Sequence, residues 1–219
     1  MNTKLFSFLM FSFLTIQFLF AQKSIVVKNP PIIIEPMVSD RGFYIQALIN
    51  KKFQSIPKLG FFSASGILSE WNKNEAYEVM MQSYLTYEVS KRFTINTGFH
   101  YSQVTGVRPT AGVMYTYANP TWLIVVFPRI DLISESDMET FSVLEFKPKI
   151  NKHLSFYSRI QGTYIYSFNS NSHQRSYIYV RTGIVYKEFT FGGGYNIDYY
   201  SPEKLNINSL GAFLNFQLF

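Results

Sequence analysis

The chain of 219 residues contains no cysteine. That excludes a disulfide scaffold, thiolate metal sites and a cysteine nucleophile. It also excludes the lipidated cysteine of a lipoprotein signal. Histidine is scarce, at three residues. None has a paired or helical ligand spacing, so no metal site is expected. No cofactor is expected either. Gly192-Gly193-Gly194 lacks the Lys-Ser/Thr ending of a phosphate loop and lies inside an alternating stretch, where bending or crowding is the better reading. Beyond Phe20 no segment approaches the roughly 20 apolar residues of a membrane helix, and mean hydropathy is +0.01. Charged residues make up 16%, with a net charge of +6 and no long basic run. Nucleic acid is therefore not an expected partner.

What the chain has in quantity is aromatic side chains: 22 Phe and 16 Tyr. A chain that is polar on average yet heavy in aromatics fits alternating strands with aromatic girdles. The N-terminus reads differently. Lys4 precedes an apolar run from Leu5 to Phe20, which ends at the small Ala21. This is the layout of a cleaved signal peptide over residues 1–21. Ser7, Ser12, Thr15 and Gln17 interrupt the run and argue against a permanent anchor. Its removal takes one basic residue and lowers the net charge from +6 to +5. Residues 22–41 form a lead-in or a weak first strand, because Pro30, Pro31 and Pro36 flank Ile32-Ile33-Ile34 and proline removes a ladder donor. Residues 42–219 form the main domain.

The stretch 77–102 carries the plainest pattern. Val79, Leu85, Ile95 and Phe99 share one phase; Gln82, Thr86, Asn96 and His100 share the other. Period-two alternation marks strands with unlike faces. Arms this long, joined by a turn as short as Ser90-Lys91-Arg92, fit an all-β, antiparallel transmembrane β-barrel. The apolar phase is expected to meet lipid and the polar phase the interior. A second such hairpin spans residues 141–168, turning at Asn151-Lys152-His153. Pro128-Arg129 is expected to interrupt the strand that starts at Trp122, and residues 103–109 to form a loop. Turns near 90, 119, 151 and 187 read as short; those near 72, 106, 135, 171 and 202 read as longer. About eleven strands are clear. Bacterial barrels have an even number, so the segment at Ile32 is expected to supply a twelfth, with ten strands as the alternative.

The interior phase supplies the candidate lumen: Glu78, Gln82, Tyr84, Glu88, Asn96, Tyr157, Arg159, Tyr179, Arg181, Asn196 and Asp198. Such a lining makes either a narrow passive channel for small solutes or a filled lumen that only stabilises the barrel. His100 and Ser102 are the candidates for chemistry, as base and nucleophile on one strand face. The next strand, 111–117, offers no acid to orient the histidine, and Glu139 is a distant substitute. An enzyme is therefore not the expected reading; a lipid-acting hydrolase is the alternative.

The chain ends Phe216-Gln217-Leu218-Phe219, with Phe213 in phase with Phe219. By this ending it resembles the outer-membrane β-barrel proteins of Gram-negative bacteria, whose last strand closes on an aromatic residue read as an assembly signal. Here Gln217 and Asn215 stand two and four places before the terminal Phe, and Leu218, Phe216 and Leu214 form the apolar phase. The resemblance implies an outer-membrane location, with membrane lipid and the barrel assembly machinery as partners. It selects no subfamily. External loops of roughly 5 to 8 residues are short for an adhesive or interaction surface.

Overall fold

A computed structural model describes residues 28–72, 78–201, 203 and 205–219. The signal segment at 1–21 lies outside the described residues. Twelve strands form one sheet: β1 (Ile32–Ser39), β2 (Gly42–Lys52), β3 (Leu59–Glu70), β4 (Glu78–Ser90), β5 (Phe93–Ser102), β6 (Gly106–Ala118), β7 (Trp122–Asp131), β8 (Asp137–Phe146), β9 (Leu154–Ser167), β10 (Ser172–Tyr186), β11 (Phe189–Tyr200) and β12 (Leu205–Leu218). Each pairs antiparallel with its neighbours in sequence, and β1 pairs with β12 to close the barrel. Closure leaves no free sheet edge.

The proline-flanked segment is thus the twelfth strand. Its register against β12 passes from Ile34↔Phe216 to Met37↔Phe213 and skips Glu35 and Pro36. The missing proline donor falls at that gap, while Pro36 stays in register with Ile45 of β2. Pro128 follows the same rule. The β6–β7 register passes from Gly112↔Arg129 to Tyr115↔Val126, and Pro128 pairs with Thr140 on its other side. The expected interruption at Pro128-Arg129 is therefore corrected: β7 runs on to Asp131, because a proline can face a ladder gap. Pro109 likewise lies within β6, opposite Phe99, and not in a loop.

The two expected length classes of connector are also corrected. At the near end, where β1 starts and β12 finishes, the connectors are residues 53–58, 91–92, 119–121, 147–153 and 187–188. At the far end they are 40–41, 71–77, 103–105, 132–136, 168–171 and 201–204. Short and long occur at both ends. The link at 147–153 is long because β8 stops at Phe146, before Pro148. Asn151 still makes a tight local turn, its Oδ1 accepting from the backbone of His153 and Leu154 at 2.8 and 2.9 Å.

Alternation sorts every strand into two faces. Outward lie Ile95, Val113, Leu144, Ile160 and Ile178, all exposed. Exposed aromatics flank them at both ends: Tyr87, Phe93, Trp122, Tyr186 and Phe189 near, and Phe43, Trp71, Phe99, Tyr164 and Phe168 far. An apolar band between aromatic girdles is the lipid-facing surface of a transmembrane barrel. The described lysines divide by end. Every described lysine lies at the near end, including Lys52, Lys58, Lys91, Lys149 and Lys187. Lys73 and Lys204 lie outside the described residues.

Candidate functional site

Inward side chains are long, and at the waist they meet across the lumen. Glu35 on β1 is 1% exposed. Its carboxylate accepts from Arg159 Nη2 of β9 at 2.5 Å, Arg181 Nε of β10 at 3.0 Å and Asn215 Nδ2 of β12 at 3.2 Å. Arg181 also donates from Nη1 to Asn196 Oδ1 at 2.7 Å. Its stem lies over Gly194, where a Cβ would come within 3.1 Å of Arg181 Cδ and Met37 Sδ. Of the three consecutive glycines, Gly194 is the one that makes room for this arginine. Further straps join Gln46 to Gln161 and Gln82 to Glu139.

Aromatic rings fill the space between the straps. Tyr84 packs edge-on against Phe127 at 5.2 Å between centroids and stacks on Phe62 at 6.3 Å. On the other side Tyr44, Tyr177 and Tyr179 pack together, with Tyr157 against Phe213. Among the described residues two cavities lie between the rings, each about 20 Å³. That is room for about one water molecule.

The barrel opens on either side of this plug. The near mouth is a hollow of about 150 Å³ between Lys52, Lys58, Lys91 and Arg92, with Glu88 as its acid. Glu88 pairs with Lys52. The far mouth is larger, about 300 Å³. Glu78 of β4 forms one wall, joined across the lumen to Arg175 of β10 at 2.8 Å and to the Tyr200 hydroxyl of β11. Arg175 also reaches Asp198 at 3.0 Å. The facing wall comes from β5 to β8. There Asp131 pairs with Arg108 at 3.0 Å and Arg129 at 2.9 Å, Arg108 also holds Asp137 at 2.8 Å, and Arg129 pairs with Glu139.

Of the residues named from the sequence, Gln82, Tyr84, Asn96, Tyr157, Arg159, Tyr179, Arg181, Asn196 and Asp198 are buried inside the barrel. Glu78 sits in the far mouth and Glu88 in the near mouth. His100 and Ser102 both line the far mouth, but no hydrogen bond joins them. Ser102 Oγ is paired with Thr105 Oγ1 at 2.7 Å and accepts from the Thr105 amide. His100 Nε2 is buried with no hydrogen-bond partner. Residues two apart on a strand are about 7 Å apart along it, so a shared face does not by itself bring the pair together. Glu139 is bonded to Arg129 and Gln82.

Sequence reasoning did not pick out Glu35, Arg129, Asp131 or Arg175. Glu35 lay in the segment that proline made hard to read. Arg129 and Asp131 continue the phase of Val125 and Phe127, a signal hidden by reading Pro128 as a break. Arg175 keeps the phase of Tyr177, Tyr179 and Arg181, so extending that alternation by one step toward the loop at 169–173 finds it.

No family model matches the chain, and no curated protein matches it. Solved structures do. A NanC porin is 12% identical, covers 85% of this chain and 100% of its own, and superposes with a TM-score of 0.51. LpxR from Salmonella typhimurium is 5% identical, with 86% and 99% covered and a TM-score of 0.44. The outer-membrane expressed OmpT of Vibrio cholerae is 10% identical, with 81% and 65% covered and a TM-score of 0.38. At these identities the likeness is one of fold: this chain resembles the outer-membrane β-barrels of Gram-negative bacteria.

Proposed function

We propose that this is an outer-membrane barrel closed at its waist, a membrane-embedded body with an outward cup and not an open diffusion channel. The carrying observation is the plug. Glu35, Arg159 and Arg181 strap strands across the lumen, and among the described residues the tyrosine and phenylalanine rings border two cavities of about 20 Å³ each. The apolar outer band and the fold likeness support the membrane location. The even strand count puts both ends of the barrel chain on one side, the periplasmic side of such barrels, so the far mouth opens outward. The mouths also differ in charge: the near mouth carries four basic side chains and one acid, and the far mouth carries Glu78, Asp131 and Asp137 beside Arg129 and Arg175.

The hydrolase reading has less support. A serine nucleophile needs its base within hydrogen-bond reach, and Ser102 is bonded to Thr105 instead.

Single-channel recording in a planar bilayer tests the proposal. The wild-type barrel is expected to give no steady conductance. The double variant Tyr84→Ala with Phe127→Ala removes two rings of one cluster and is expected to conduct. Steady open-channel current from the wild type would overturn the reading.

A further inference from the structure

We propose that the far mouth binds a small zwitterion, a solute of dipeptide size that carries both an ammonium and a carboxylate. The cup has the volume of a small-molecule site, at about 300 Å³, the lower end of the usual range. Its chemistry narrows the ligand. Two ion pairs present both signs of charge to it. Glu78 of β4 and Arg175 of β10 meet across the cup, their side chains 23% and 20% exposed. On the β6 to β8 side stands Asp137, 16% exposed, with Arg108 bonded to it and 15% exposed. Behind these, Asp131, Arg129 and Asp198 are sealed at 2–3% exposure and pair with one another or with the front rank.

A simple cation in this cup meets a guanidinium beside each carboxylate, Arg175 beside Glu78 and Arg108 beside Asp137. A simple anion meets a carboxylate beside each guanidinium. A molecule with separated opposite charges meets a complementary group at both pairs. Placing like charges together is what makes the single-charge ligands poor. The balance of the walls also asks for an amine. The Arg108 and Arg129 cluster holds three carboxylates, Asp131, Asp137 and Glu139, and so has one acid in excess. Between the charged pairs Met80 and Ile165 line the cup and offer contact to an apolar side chain. An uncharged sugar would find hydrogen-bond partners here but would leave the two ion pairs undischarged by any ligand charge.

This inference goes beyond the closed-waist reading and is measured separately from it. A conducting barrel with a binding cup, or a closed barrel with an empty one, would separate the two. The experiment is isothermal titration of the refolded full barrel in detergent micelles with alanylleucine. Saturable binding with a Kd below about 1 mM is expected. N-acetyl-alanylleucine lacks the ammonium and alanylleucine amide lacks the carboxylate; each is expected to bind at least tenfold more weakly. Glu78→Gln and Asp137→Asn are expected to weaken binding of the parent dipeptide by a similar factor, and Lys91→Gln in the near mouth to leave it unchanged. Far-UV circular dichroism and the heat-modifiable gel shift establish that each variant is folded. Equal affinity for all three dipeptide forms, tighter binding of maltose than of the dipeptide, or no heat from the folded wild type would each overturn the proposal.

Discussion

The waist and the far mouth use the same kinds of side chain to opposite effect. Both hold glutamates, arginines and tyrosines on the inward phase of neighbouring strands. At the waist Glu35 gathers two guanidiniums and an amide from three other strands, and every member is sealed. At the mouth Glu78 and Arg175 also meet across the lumen, yet both remain partly open to solvent. What differs is the packing around them. Rings of Tyr44, Tyr84, Phe127 and Tyr179 exclude water at the waist, whereas among the described residues Glu78 borders a hollow of about 300 Å³. The bore of a barrel is therefore set by the volume of inward side chains and by pairing across it, as well as by the number of strands.

Removing one acid from each region gives the largest contrast. Glu35→Ala strands Arg159 and Arg181 in a dry site, where breaking a buried pair costs about 3–5 kcal/mol. Glu78→Ala acts on a partly solvated pair, with an expected cost of about 1 kcal/mol or less. Urea unfolding of the refolded barrels in micelles measures both. Equal losses would mean that the two regions are equally wet.

A radial version of the comparison comes next. Ile95 is 51% exposed on the outer face and its neighbour Asn96 is buried in the lumen. Arginine on the lipid face near the midplane costs about 2–4 kcal/mol, so Ile95→Arg is expected to lower folding yield into vesicles. Ser102→Arg, which points a charge into the open far mouth, is expected to be tolerated. The reverse order would mean that the faces are exchanged.

The smallest effect belongs to the polar pair that looked most like chemistry. Ser102→Ala removes both hydrogen bonds between Ser102 Oγ and Thr105 at a partly exposed turn, where water can replace them, with an expected stability change of about 1 kcal/mol or less. Neither the wild type nor this variant is expected to release fatty acid from lipid A or phospholipid. Acyl release by the wild type that is lost in both Ser102→Ala and His100→Ala would promote the hydrolase reading.

Much of the architecture was legible in the residue order, because lipid and lumen impose unlike demands on successive side chains. The period of two in β4, β5 and β9 needs no tertiary information to be seen, nor does the inward phase of Arg159 and Arg181. The even strand count of bacterial barrels favoured the weak segment at Ile32 as a twelfth strand over a barrel of ten. Only the tertiary structure decided what the inward residues do. Glu35 and Arg181 are far apart in sequence, and no local pattern says that one will neutralise the other across a lumen. The same holds for Gln46 with Gln161 and for Glu78 with Arg175. Pro36 and Pro128 read as breaks because a proline lacks a donor; only the finished register reveals a gap at each of them where no donor is required. Alternation follows from local chain geometry, whereas the closed waist and open mouth follow from which strands end up facing each other.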